Sequence, residues 1–152
     1  MANNENVRLN KLEYGQEGQI LEMIRSDEGL RNTFSGSRNT LSRLAYTDYS
    51  ALIKVGRKTV GFIMLVANDK TGKHEIDMGI LSQYRGKGYG SQALAYLKKI
   101  ILNSPGLDIE IQTKQVNEAA IRSITKNGFV LSRQDDECYY FKLPETSKKQ
   151  GR

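Results

Sequence analysis

Gly79-Ile80-Leu81-Ser82-Gln83-Tyr84-Arg85-Gly86-Lys87-Gly88-Tyr89-Gly90-Ser91-Gln92-Ala93-Leu94 is the stretch on which the fold of this chain turns. Its left side is apolar and strand-like. Its middle holds glycines and cations with no acidic residue. Its right side begins an amphipathic helix: Leu94, Leu97 and Ile101 share one face, with Lys98 and Lys99 off it. A strand, a glycine-rich turn and a helix N-terminus in succession make an anion site. The first N–H groups of a helix have no internal partner, and the aligned peptide dipoles add partial positive charge. Gly86, Gly88 and Gly90 place no side chain between those N–H groups and a ligand, and Arg85 and Lys87 add full charges. The expected guest is a phosphate, read here as a diphosphate.

Upstream, residues 49–55 and 59–67 are β-rich runs separated by Gly56-Arg57-Lys58, which reads as a hairpin. A turn over 68–73 leads to a strand over 74–81. Further back lie a short strand over 7–12 and a helix over 16–26 with Ile20, Leu21 and Ile24 as its stripe. A polar loop over 29–38 and a short helix capped by Asn39 or Thr40, carrying Leu41, Leu44 and Ala45, follow them. Downstream, Asn103-Ser104-Pro105-Gly106 stops the long helix. Residues 108–116 alternate Ile109, Ile111 and Thr113 with polar neighbours, a strand with one wet face. Asn117 caps a helix with Ala120, Ile121 and Ile124 buried, and Lys126-Asn127-Gly128 ends it. Strands over 129–132 and 138–143 close the chain. The reading is α/β (α+β): one mixed, mostly antiparallel sheet flanked by helices. One domain spans 1–144, and 145–152 is a basic, disordered tail.

Composition narrows the function. With 152 residues the chain is long enough for one real core. One cysteine, Cys138, excludes an internal disulfide and suits a reducing, cytoplasmic setting. Met1 to Arg8 holds no apolar run, so it is not expected to be a secretory signal, and no segment reaches the length of a membrane span. The net charge of +6 is spread along the chain and into Lys148, Lys149 and Arg152. It reads as a solvated surface, so neither nucleic acid nor membrane is an expected partner.

Three glycine motifs compete for the anion turn. A P-loop needs a different glycine spacing followed by Gly-Lys and Ser or Thr, which Gly86 to Ser91 lacks. Gly88-Tyr89-Gly90-Ser91-Gln92-Ala93 fits a loose dinucleotide fingerprint, with Asp108 at a suitable distance. That acid, however, opens its strand instead of closing it, and the motif follows an antiparallel hairpin. The third match is stronger. Arg85-x-x-Gly88-x-Gly90 between a strand and a helix resembles the cofactor motif of the GNAT superfamily, the acyl-CoA-dependent N-acyltransferases. Asn117-Glu118-Ala119-Ala120-Ile121 with Lys126-Asn127-Gly128-Phe129 resembles the family's following helix. The element order agrees along nearly the whole chain.

The resemblance implies an N-acetyltransferase that moves acetyl from acetyl-CoA to a primary amine, on a small molecule or a protein, by a monomer or homodimer. It places the diphosphate on Gly86, Lys87, Gly88, Tyr89, Gly90 and Ser91 beside Arg85. It also implies pantetheine along the backbone of Ile80 and Leu81, a backbone N–H near Ile80 for the oxyanion, and Asn117 near the pantetheine or acetyl end. A charged amine must lose a proton, and Glu75 and Asp77, two apart on one strand face, are the candidate bases. His74 is a weaker one. Ile124 occupies the position of the family's general-acid tyrosine, so Tyr139 and Tyr140 are the candidate substitutes. Ser82 stands where many members carry proline, a difference expected to matter little. Arg31 and Arg38 favour an acidic group on the substrate. The alternative function is a CoA-binding sensor or interaction module with catalysis lost.

Overall fold

A two-residue loop joins β2 (Thr47–Val55) to β3 (Lys58–Asn68). Gly56 stands at its first position with φ 61°, where a tight hairpin turn calls for glycine. The computed structural model describes residues 6–34, 47–104 and 106–144. Around this hairpin lie β1 (Arg8–Lys11), antiparallel to β2, and β4 (Lys73–Ile80), antiparallel to β3. Beyond β4 come β5 (Ile109–Lys114), β7 (Cys138–Lys142) and β6 (Val130–Gln134), so seven strands run in the order β1-β2-β3-β4-β5-β7-β6.

Among the described residues four helices cover the sheet: α1 (Gly18–Ser26), α2 (Glu28–Thr33), α3 (Tyr89–Leu102) and α4 (Glu118–Lys126). Period-two alternation along β2 and β3 sends neighbouring residues to opposite faces and so builds two cores. Ile53, Ile63, Leu65 and Ile76 pack with Leu94, Leu97 and Ile101 of α3 and Ile124 of α4. Leu52, Phe62, Met64 and Val66 pack on the other face with Ile20, Ile24, Leu30 and Phe34. Each fully buried side chain of this kind contributes about 1.5–3 kcal/mol relative to exposure.

The strands and long helices fall where the sequence places them, and the segment after α1 does not. Residues 29–33, part of the segment 29–38 read as loop, lie in α2 (Glu28–Thr33). Asp27 supplies the missing start signal, accepting the Leu30 N–H at 3.1 Å as N-cap. Leu30 and Phe34 are its buried anchors, too few to show a periodic stripe. The helix read after Asn39 or Thr40 and the basic tail lie outside the described residues. The wet face read for β5 is also partly buried. Glu110 is enclosed, accepting from Lys73 Nζ at 3.2 Å and Arg133 Nη2 at 3.1 Å. Among the described residues no helix is long and apolar enough to cross a membrane.

Candidate active site

The central strands β4 and β5 are parallel, and they pair at only two positions, His74 with Ile109 and Glu75 with Glu110. Past those pairs the strands part. Successive strand residues turn their N–H and C=O to opposite edges. The His74 N–H donates to Asp108 C=O on the β5 side, and the Leu81 N–H donates to Val60 C=O on the β3 side. The even positions, Met78 and Ile80, therefore present their backbone across the gap. The mouth of this gap adjoins the anion turn.

That turn has the backbone its glycines foretold. Gly86 and Gly88 have φ 79° and 82°, and Gly88 is the N-cap of α3. A Cβ at either would meet nothing within 4 Å, so the left-handed conformation itself, not crowding, requires glycine. Gly90 has a different task. A Cβ there would sit 3.3 Å from Met78 Cε, so its absence lets α3 lie close on β4. The first helical bond runs from the Gln92 N–H to the Gly88 C=O, leaving the N–H groups of 86–91 ahead of the intrahelical ladder. Asn127, at the end of α4, anchors this turn by donating to the carbonyl and hydroxyl oxygens of Ser91, at 3.1 and 3.2 Å.

Arg85 faces back toward β4. Its Nε donates to the Ile80 C=O at 3.0 Å, and its Nη2 lies 3.8 Å from Asp27 Oδ1. Leu81 has both backbone groups engaged within the chain, its C=O accepting from the Tyr84 N–H. Ser82 is far from neutral filler, since its N–H and hydroxyl both bond Asp27. Burial alone would raise the Asp27 carboxyl. The Ser82 and Leu30 N–H groups, the Ser82 hydroxyl and Arg85 outweigh it and hold the pKa below the ordinary value.

Glu75 and Asp77 share a face, as expected, but their surroundings differ. Glu75 is half-buried and accepts from Asn68 Nδ2 at 3.1 Å. Asp77, the other candidate base, lies opposite Met64 and is only 1% exposed. His74 bonds Asp48 Oδ2 through Nε2 at 2.6 Å. Arg31 donates to the Arg25 C=O at the end of α1 and so serves the helix corner.

The two tyrosines lie on opposite sheet faces. Tyr139, opposite Thr113, packs edge-on against Phe141 on the face that holds Ile124. Its hydroxyl makes no hydrogen bond among the described residues. Tyr140 donates to Asp135 Oδ2 at 2.8 Å. Burial, then that bond to a carboxylate, pushes the Tyr140 pKa up to about 12. Asn117 caps α4 through the Ala120 N–H at 3.1 Å, which leaves its amide nitrogen directed elsewhere. Cys138 is buried and takes a bond from Gln112 Nε2. Met78, Asp27 and Asn127 are the contributors the sequence reading passed over. Strand alternation carried a signal for Met78, and the Asp27 to Leu30 capping spacing carried one for Asp27.

The model of the Acetyltransferase (GNAT) family matches residues 19–129. Among solved structures the chain is similar to AAC(6')-Ib in complex with paromomycin and acetyl-CoA, at 18% identity and TM-score 0.74, covering 97% of this chain and 98% of that one. It is similar to spermidine N-acetyltransferase from Vibrio cholerae in complex with CoA and spermine, at 15% identity and TM-score 0.70, covering 95% and 98%. It is also similar to RimL, a ribosomal-protein alpha-N-acetyltransferase in complex with coenzyme A, at 12% identity and TM-score 0.68, covering 90% and 93%. The family model spans both the glycine turn and the Asn117 helix, and by that match the chain belongs to the GNAT acetyltransferase family.

Proposed function

We propose that this protein transfers acetyl from acetyl-CoA directly to a primary amine, with the thioester lodged between β4 and β5. The observation that carries the reading is the gap after Glu75 and Glu110, opening beside a turn with two left-handed glycines at a helix N-terminus. The N–H groups of Gly86, Lys87, Gly88, Tyr89, Gly90 and Ser91 hold the diphosphate, with Lys87 supplying charge. Pantetheine, whose two amides resemble a peptide, bonds the Met78 and Ile80 backbone. Ile80 meets it there while its carbonyl also takes the Arg85 bond. The amide nitrogen of Asn117 faces the same arm.

Chemistry proceeds by attack of the neutral amine nitrogen on the thioester carbon. A lysine-like amine of pKa about 10.4 is mostly charged at neutral pH, so a base must remove its proton. Glu75 takes that role through water, being reachable where Asp77 is enclosed. The tetrahedral oxyanion is stabilised by a backbone N–H at Ile80. Its collapse breaks the carbon–sulfur bond, and the thiolate takes a proton from Tyr139, whose hydroxyl has no hydrogen bond among the described residues. The matched proteins act on a polyamine, an aminoglycoside and a ribosomal protein according to their names, so the acceptor here is an amine from a small molecule or a polypeptide. A cytoplasmic setting suits the free thiol of Cys138.

The test is release of free CoA from acetyl-CoA with a panel of polyamines, aminoglycosides, amino acids and peptides. Wild type turns over at least one class, and Gly88→Val loses both turnover and CoA binding. Tight CoA binding with no turnover on any amine would point to a sensor.

A further inference from the structure

Leu81 leaves β4 with φ −57° and ψ 141°, and Ser82 opens the 3-10 turn Ser82–Tyr84 that leads to the glycines. This backbone would accept proline at 82, since the preceding residue is extended and position 82 begins a helical turn. Serine instead supplies two donors, and both go to one carboxylate. The Ser82 N–H reaches Asp27 Oδ2 at 2.8 Å, and the hydroxyl reaches Oδ1 at 2.9 Å. Oδ1 also caps α2, and the Asp27 side chain is 10% exposed. Two close contacts reinforce the joint. A Cβ on Gly79 would lie 2.7 Å from Leu30 Cδ2, and one on Gly29 would lie 2.8 Å from Arg85 Nη2. The corner between α1 and α2 is thus seated on both ends of the segment 79–85.

We propose that Asp27 is a positioning residue for the acetyl-CoA site: by holding Ser82 and Arg85 it sets where the anion turn starts relative to the Met78 and Ile80 backbone. The inference rests on the reading that residues 86–91 bind the diphosphate. Asp27 acts through those two residues and not by touching the cofactor. Donors fixed before the ligand arrives need no ordering on binding, whereas a turn released at its start must be ordered by the ligand. A carboxylate accepting two donors is a strong, directional anchor.

The test is calorimetric titration of the full chain with CoA, paired with thermal melts. Ser82→Pro keeps the backbone path and removes both donors, and should raise the CoA Kd about tenfold, with Asp27→Asn raising it about fivefold. The double variant should lose less than the two single losses combined, because both changes cut the Ser82–Asp27 link. Ser82→Thr, which keeps both donors, should stay within about twofold of wild type. Unchanged Kd in Ser82→Pro and Asp27→Asn, even with lowered melting temperatures, would overturn the proposal, and so would additive losses in the double. Gly88→Val separates the two levels. If it loses CoA while Ser82→Pro binds normally, only the positioning role falls. If it too binds normally, the diphosphate reading falls with it.

Discussion

Tyr140 and Asp135 are joined across the β6–β7 hairpin by a 2.8 Å hydrogen bond, with the Arg133 guanidinium 3.8 Å from the centre of the tyrosine ring. The arrangement removes Tyr140 from proton delivery, since its hydroxyl already has a carboxylate acceptor and its pKa lies near 12. Tyr140→Phe should change kcat by less than about twofold and leave the pH profile intact. Tyr139→Phe should lower kcat about 10²-fold, the lower range for a lost general acid. Profiles of kcat and kcat/KM for the two variants check both outcomes.

Glu75→Gln should reduce the rate most at low pH, where neutral amine is scarcest and the base matters most. Asp77→Asn should act chiefly on stability, because Asp77 is only 1% exposed. Rates and denaturant midpoints measured on both variants separate the roles. A rate loss confined to Asp77→Asn would exchange them.

Arg85→Ala should weaken CoA binding by about 1–3 kcal/mol, the range for one charge-assisted contact. The loss should come through the Ile80 carbonyl and Asp27, which the guanidinium bridges. Arg85→Lys should therefore fail to restore affinity, as an ammonium cannot span both with fixed geometry. CoA titration reads this directly.

Asn117→Asp keeps an oxygen to cap α4 but loses the amide donor. Stability should stay within about 0.5 kcal/mol of wild type while KM for acetyl-CoA rises or turnover falls. Unchanged kinetics would reduce Asn117 to its capping role.

Acid sensitivity follows from Asp27. Its folded pKa lies below the unfolded value, so its contribution is present above the unfolded pKa of about 3.9 and fades as pH falls through the folded one. Asp27→Asn should be less stable than wild type at pH 7, and the difference should shrink as pH falls below the ordinary carboxylate range. Urea midpoints across that range provide the check.

Much of the sheet was legible because alternation is a local signal: Ile109 and Ile111 announce β5 without reference to anything distant. The anion turn was legible for the same reason, its strand, glycines and helix being contiguous. What escaped the reading depends on partners far apart in the chain. Asp27 and Ser82 are separated by 55 positions, and neither residue alone announces the bond. The enclosure of Glu110 required Lys73 and Arg133 from two other strands. The separation of Tyr139 from Tyr140 required knowing which sheet face carries α4. The two carboxylates were placed on one face correctly, but burial is a property of what lies above that face.

The early parting of β4 and β5 gives the sheet something rare, an edge at its centre. Edge strands invite pairing by other chains, and proteins commonly guard them with charge, bulges or covering segments. Here the unpaired stretch of β4 lies inside the sheet, between β3 and β5, so a second chain's strand would have to thread between neighbours to reach it. A slender, amide-bearing arm can slide in from the mouth. Selectivity for such a guest then begins with thickness, before any side chain is consulted. Amides at Met78 and Ile80 should exchange hydrogen rapidly in the free protein and slow on CoA addition, as though a missing strand had been restored.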